Sequence, residues 1–499
     1  MSSRTASLPV LAVRRSANWA NSKLPLVAWL FAFSLLTRIG ALGDQSYSND
    51  EAFYVLVGQL AHQGTIPYVD IWDRKGPGLF LLTFLVTALS PTMVSFRLAA
   101  WLCASATAVL ISSASSKLFG RTGAWFAGTF YLALLPLYGG GGGQSPVFYN
   151  LLIALAGWLV LHERQQLQAG RVGWQIYAAM FCAGMAITFK QCAAPESAFL
   201  GCYCLWQLRR SGTELPKLIR AGFGLAFCGA APMMIFALSY ASQGHFAFFW
   251  SAIVDANLKR TYNPPLAMLT QGGLFFLSCS PALIVAAAGL FRRQEHDWQT
   301  RFLGGWLLAA CCGIAIMPNF FEHYALPLFV PASIAAGGAI SGGRIRPMTA
   351  MLLLVGLLAI GPALRFDLRA QSRVATQRIV TTIQSRDPHP RLLIFGGPVA
   401  LYSMLDAKLP PSPLRFPMHL FHRYENNSGP FNTKAEVQRI LAWKPTVVTL
   451  YSDMPSASQN PATTAMIRGY VAHCELWLRQ PVRQVFATDE ISVYGNCAK

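Results

Sequence analysis

The sequence predicts a polytopic α-helical membrane protein with a C-terminal α/β domain outside the cytoplasm, and three observations predict it. Apolar residues make up 54% of the chain against 12% charged, with a mean hydropathy of +0.39, well above that of soluble domains. Apolar runs of roughly 17–25 residues recur, the length that crosses a bilayer. The basic residues behind a formal net charge of +19 sit mostly in short loops between those runs, as the positive-inside rule requires. That distribution argues against nucleic acid as a partner.

Residues 1–23 form a basic cytoplasmic lead with Arg4, Arg14, Arg15 and Lys23. Segment 24–42 is too long for a signal-peptide core and lacks a small-residue cleavage site, so it reads as an uncleaved first span. Further spans are expected at 93–117, 122–138, 146–162, 174–189, 192–208, 218–241, 267–291, 301–317, 323–341 and 347–364. Eleven spans put the N-terminus inside and the C-terminus outside. The loops 117–121, 162–171, 208–217, 292–301 and 342–347 then face the cytoplasm, and all are rich in bases. The other face receives loop 43–92, the glycine run before Pro146, Lys190-Gln191, loop 242–266 and 319–322.

Segment 78–89 is apolar but short for a span, and a crossing there would turn the basic loops outward. It is expected to lie in the interface or to re-enter. Ahead of it, Ser48-x-x-Glu51 has capping-box spacing and Gly64 is a helix stop, which predicts a helix over 50–63. Its stripe of Phe53, Leu56, Val57 and Leu60 suits a membrane surface. The glycines at 139–143 permit either a flexible turn or a close backbone approach.

After the transmembrane domain, 24–364, the long apolar runs stop. Residues 365–499 alternate short elements: strands at 391–397 and 446–452, helices at 434–443 and 462–474, and a hairpin over 482–495. This is the pattern of a small α/β domain. Of eleven cysteines, Cys474 and Cys497 lie in this polar region. An oxidising location allows a disulfide between them, with two free thiols as the alternative.

The chemistry-bearing residues gather in the loops assigned to one face. Asp50 and Glu51 can cap a helix through their charge, and a carboxylate there can also take a proton from an attacking hydroxyl. Asp73-Arg74-Lys75 precede Gly76-Pro77, where the two cations can meet a lipid phosphate or simply be solvated. Lys190 and Gln191 close a helix pair on the face that positive-inside topology leaves poor in bases. Glu196 is an acid in an apolar run, a kind of residue that usually faces an interior or a cavity. Arg260 can grip phosphate as a fork or stand as a solvated loop charge. His323 and Tyr324 can anchor a helix in the interface or close the same site. Carboxylates and phosphate-holding cations at one membrane face point to chemistry on a lipid-linked phosphate.

Several motifs in this order resemble the GT-C superfamily, the lipid-phosphate-sugar glycosyltransferases of the protein O-mannosyltransferase and aminoarabinose transferase type, and in particular a bacterial galacturonosyltransferase-like branch. The carriers are NDEAFY after the first span, WDRKGPGLF, the LFGR loop, FKQ at 189–191 and FEHYALPLFVP at 321–331. The resemblance covers about residues 25–345, and a match is also expected for the C-terminal domain. It implies a GT-C-like fold with its site at the periplasmic face of a bacterial inner membrane. The implied donor is a polyprenyl-phosphate sugar, and the implied acceptor is an envelope glycan such as lipopolysaccharide, a lipid or a protein, with inversion at the anomeric carbon. It makes Asp50 the catalytic base or its organiser, with Glu51 beside it. Lys75, Lys190 and Arg260 become the phosphate grip, to which Arg74, next to Lys75 in this chain, is added. His323 and Tyr324 match the family's His-Tyr start of a late helix; together with Gln144, Gln191 and Glu196, which their positions in this chain suggest, they are expected to line the substrate pocket. Relatives often carry an acid in the second outer loop, where this chain has Gln144-Ser145. A two-acid metal site is therefore not expected, and Mg or Mn, if used, would rest on Asp50. A transporter or flippase for a lipid-linked sugar or anion is the alternative from another class. It would show repeats and broken mid-membrane helices, and the sequence shows no repeat.

Overall fold

The computed structural model describes residues 24–259, 262–291, 297–452, 458–483 and 488–497. The basic lead 1–23, Arg260 and most of the loop before Trp298 lie outside the described residues.

A helix stands at every predicted span. In chain order these are α1 (Leu24–Leu36), α4 (Met93–Phe119), α5 (Arg121–Leu134), α6 (Ser145–His162), α7 (Trp174–Phe189), α8 (Ala194–Arg210), α9 (Leu215–Ser242), α10 (Pro265–Leu290), α11 (Asp297–Ala315), α12 (Phe329–Ser341) and α13 (Pro347–Ile360). Between α1 and α4 lie α2 (Asn49–Ala61) and α3 (Pro77–Leu89). Four of these helices, α4, α6, α9 and α10, are long and apolar enough to cross a membrane by length and composition alone. On α9 and α10, Phe223, Phe227, Leu238, Leu266 and Leu277 are exposed, whereas α6 buries most of its length. A water-soluble protein would not leave such a surface bare; lipid covers it at no cost.

Helix α3 has 13 residues, roughly 20 Å of rise, too short for the ~30 Å hydrocarbon layer. It exposes Leu81, Leu85 and Leu89 and buries Leu79, Phe80 and Thr83. The expectation for α2 is corrected. Residues Glu51 to Gly58 are all buried, so the helix is enclosed rather than laid on a membrane surface. Phe53, part of the predicted stripe, packs against Phe416 from the C-terminal region, with ring centroids 4.8 Å apart.

A further helix, α14 (Phe366–Arg386), was not foreseen. It buries Leu368, Ser372, Ala375, Ile379 and Ile383 at the spacing of one helix face. This face packs on a four-stranded sheet of β1 (Leu392–Ile394), β2 (Val447–Tyr451), β3 (Glu475–Arg483) and β4 (Thr488–Gly495), in the order β1-β2-β4-β3. β1 and β2 are parallel, with Leu393 opposite Val448; the other pairs are antiparallel. Helices α15 (Thr433–Ala442) and α16 (Pro461–Val471), which pack on each other, flank β2 in the chain. The hairpin starts at Glu475, seven positions before the predicted 482, because Pro481 sits inside β3 rather than at its end. Cys474 and Cys497 are disulfide-bonded with Cα atoms 4.4 Å apart, closing the open end of that hairpin.

The sheet region is tied to the loop after α1. The Trp72 N–H donates to the Pro413 carbonyl at 2.9 Å, and the Val399 N–H to Asn49 Oδ1 at 3.1 Å. These bonds cover one end of the helical bundle, and the candidate site lies beneath that cover.

Candidate active site

Ser48 Oγ accepts the Glu51 N–H at the start of α2, which fixes the first turn. Neighbours on a helix point in different directions, so the two acids part there. Glu51 turns inward to Arg97 Nε at 2.9 Å, and both side chains are essentially fully buried. Arg97 Nη1 also donates to the Ala41 carbonyl and, at 2.6 Å, to that of Asp44. Glu51 is therefore held in the core and does not line the cavity, which corrects its expected catalytic placement. Asp50 turns the other way. Its Oδ1 lies 3.5 Å from Lys75 Nζ, and its Oδ2 accepts from Gln144 Nε2 at 3.2 Å.

Lys75 is set by its own turn. Asp73 Oδ1 accepts the N–H groups of Arg74 and Lys75, the latter at 3.0 Å. The Gly76 N–H then donates to the Phe189 carbonyl at 3.3 Å. A Cβ at Gly76 would run into the Thr188 carbonyl, so only glycine lets this turn seat on the end of α7. Lys190 is the next residue after α7, extended at φ −158°, and its Nζ lies 3.7 Å from the Tyr324 ring centroid. The close seat of Gly76 is what brings the WDRKGPG and FKQ motifs together.

The glycine run is resolved as a close approach, but to protein. Arg38 donates to the carbonyls of Gly140, Gly141 and Gly142 at 2.7, 3.3 and 2.8 Å. A side chain at Gly142 would strike the Glu51 carboxylate. The run thus lies over the Glu51–Arg97 pair and delivers Gln144 to the head of α6.

These pieces surround a cavity of about 320 Å³. Asp50, Arg74, Lys75, Gln144, Lys190, Gln191, His323 and Tyr324 all line it. Three expected members are not among them. Glu51 is accounted for above. Glu196 is buried one turn into α8, where its carboxylate accepts from Trp306 Nε1 at 2.8 Å; an indole on a facing helix, not a substrate, satisfies it. Arg260 lies outside the described residues.

Sequence reasoning missed the contribution of the C-terminal region. Phe416, His419 and Glu425 line the cavity. They sit at or in two short helical turns, Pro417–Phe421 and Arg423–Glu425, too short to give a readable period, so nothing local marks them. Arg97 was legible in principle, since an arginine inside an apolar helix is rare and usually functional or paired.

The electrostatics follow from this enclosure. Burial alone would raise the Asp50 carboxyl, but Lys75, then His323, Gln144 and Lys190 outweigh it and hold the carboxyl below its ordinary value. Burial would lower the Lys75 ammonium, yet Asp50, Tyr54 and Asp73 push it well above its usual range. The pair is charged at neutral pH. His323 lies in a short turn ahead of α12. Burial, with Lys190 next to it, drives its imidazole well below the normal histidine value against the pull of Asp50. His419 is lowered as well, mainly by burial.

The donor set does not fit Mg or Mn. The Asp50 carboxylate faces an ammonium and an amide N–H, both positive ends, and a hard cation needs several oxygen ligands. Among the described residues no group of three His, Cys, Asp or Glu could hold a metal.

No protein-family model and no curated relative matches the chain. Among solved structures it is similar to ArnT from Cupriavidus metallidurans bound to undecaprenyl phosphate, with 15% identity over 95% of this chain and 98% of that one and a TM-score of 0.56. The apo state of the same protein gives 15% identity, 96% and 98% coverage and a TM-score of 0.55. An apo oligosaccharyltransferase from Archaeoglobus fulgidus is more distant, at 13% identity, 86% and 69% coverage and a TM-score of 0.49. The chain has the GT-C fold that its motifs led us to expect.

Proposed function

We propose that the chain is a membrane glycosyltransferase that moves a sugar from a polyprenyl-phosphate donor to an envelope acceptor at the periplasmic face. The observation that carries this reading is the Asp50–Lys75 contact at 3.5 Å inside a cavity also lined by Arg74 and Lys190. One carboxylate base and three cations from distant segments meet at one end of the bundle, where helices end and a lipid head group can enter. The fold match to a protein crystallised with undecaprenyl phosphate supports the donor class. The basic loops at the opposite ends of the helices support the orientation.

The reaction needs little more. An acceptor hydroxyl attacks the anomeric carbon while the bond from that carbon to the phosphate oxygen breaks. The electron pair leaves on the phosphate, and the hydroxyl proton passes to Asp50. Cations fixed where the phosphate charge grows lower the barrier, and alignment supplies much of the remainder. A single displacement inverts the anomeric centre. The phosphate also competes with Asp50 for Lys75. As Lys75 turns to phosphate, the Asp50 carboxylate loses the partner that depresses it and becomes a stronger base.

Comparing envelope glycans and lipids by mass spectrometry, with and without this protein, tests the reading. A mass difference of one sugar on a single acceptor class is expected. Identical envelopes would contradict it.

A further inference from the structure

The three cations of the cavity are not equivalent. Lys190 rests on the Tyr324 ring and has no carboxylate partner among the described residues. Lys75 shares Asp50. Arg74 is ion-paired through Nη2 with Glu425, 351 residues away in the C-terminal region. The side chains are 14% and 3% exposed, so this pair is shielded from solvent.

Glu425 is held where it is. It ends a short turn, Arg423–Glu425, and its other oxygen lies 3.5 Å from Ser428 Oγ. The next residue, Gly429, packs against the buried Trp72, where any Cβ would enter the indole. Trp72 belongs to the same loop as Arg74. The backbone on either side of the ion pair is thus fixed by packing, so only the two side chains need to move for the pair to part and re-form. Arg74 Nε is buried and has no hydrogen-bond partner among the described residues, so the carboxylate does not use all the donors of the guanidinium.

A carboxylate and a phosphate monoester compete for the same fork of N–H groups, and the phosphate, with one oxygen more, can also satisfy Nε. We propose that Glu425 is a resident competitor that occupies the anion position of Arg74 and is displaced by the lipid phosphate. It is a positioning residue. By returning to Arg74 it weakens the hold on the spent polyprenyl phosphate and speeds its release. This rests on the donor class proposed above.

The test measures binding of undecaprenyl phosphate to the purified full-length protein in detergent. Glu425→Gln removes the competing charge but keeps the shape, and binding tightens by about tenfold, the effect of one charge-assisted hydrogen bond regained. Glu425→Asp keeps the charge but shortens the reach, and it also tightens binding. In an Arg74→Gln background, Glu425→Gln changes nothing. If transfer is followed as well, Glu425→Gln lowers KM and kcat together. If the wild type does not bind undecaprenyl phosphate, the donor reading itself fails. If it binds and Glu425→Gln leaves affinity unchanged or weaker, the competitor is disproved. Equal tightening in the Arg74→Gln background, or no tightening by Glu425→Asp, reduces the effect to a general field and also overturns it.

Discussion

Asp50 and Glu51 are adjacent in the chain, yet one faces the cavity and the other is sealed against Arg97. The sequence marked both as candidates because position alone cannot tell which way a side chain turns at a helix start. A buried pair that loses one partner leaves an uncompensated charge. Arg97→Met is therefore expected to cost about 3–5 kcal/mol, read as lowered unfolding stability in detergent. A shift within error would mean that Glu51 is satisfied by other groups. The histidines make a second prediction. The folded pKa values of His323 and His419 are depressed. Their contribution to stability is therefore complete above the ordinary histidine value of about 6.5 and declines as pH falls below it. Asp50 is depressed from a carboxylate value, so its own contribution is lost only at far lower pH. The melting temperature should fall between about pH 7 and about pH 5, and the fall should be shallower in His419→Gln. An unchanged slope in that variant would remove His419 from the explanation.

At the scale of elements, membrane helices were the most legible feature, because a bilayer imposes a length and charge rules that few other structures share. Helix α14 was missed although Leu368, Ala375, Ile379 and Ile383 repeat at helical spacing. Its many polar residues hid a stripe that only the sheet makes necessary. Helix α2 was located correctly and its environment misjudged, since a stripe of Phe53, Leu56, Val57 and Leu60 fits lipid and protein alike. The turn at Gly76 carries the element-scale prediction. Gly76→Ala forces the Lys75 turn away from the end of α7, at an overpacking cost of about 1–3 kcal/mol. Transfer should drop at least tenfold, on the order expected for misplacement of about an ångström. Gly273→Ala is the control, because a Cβ there meets open space on α10, and it should leave transfer intact.

For the whole molecule, the cavity is a meeting place of segments that the sequence keeps far apart. Asp50, Lys75, Lys190 and His323 were legible because each stands at a loop or helix end on the side of the membrane that the basic loops avoid. Glu425, His419 and Phe416 were not, because the fold alone brings the region after β1 over that end of the bundle. The proposed picture is one base and several cations that share a pocket with a lipid phosphate. Replacing the base while keeping its shape tests it most directly. In cells lacking the protein, the wild type or Asp50→Asn is restored at equal membrane levels, and the envelope glycans and lipids are weighed by mass spectrometry. The wild type is predicted to return the one-sugar increment and Asp50→Asn to leave it missing; a normal increment with Asp50→Asn would contradict the account.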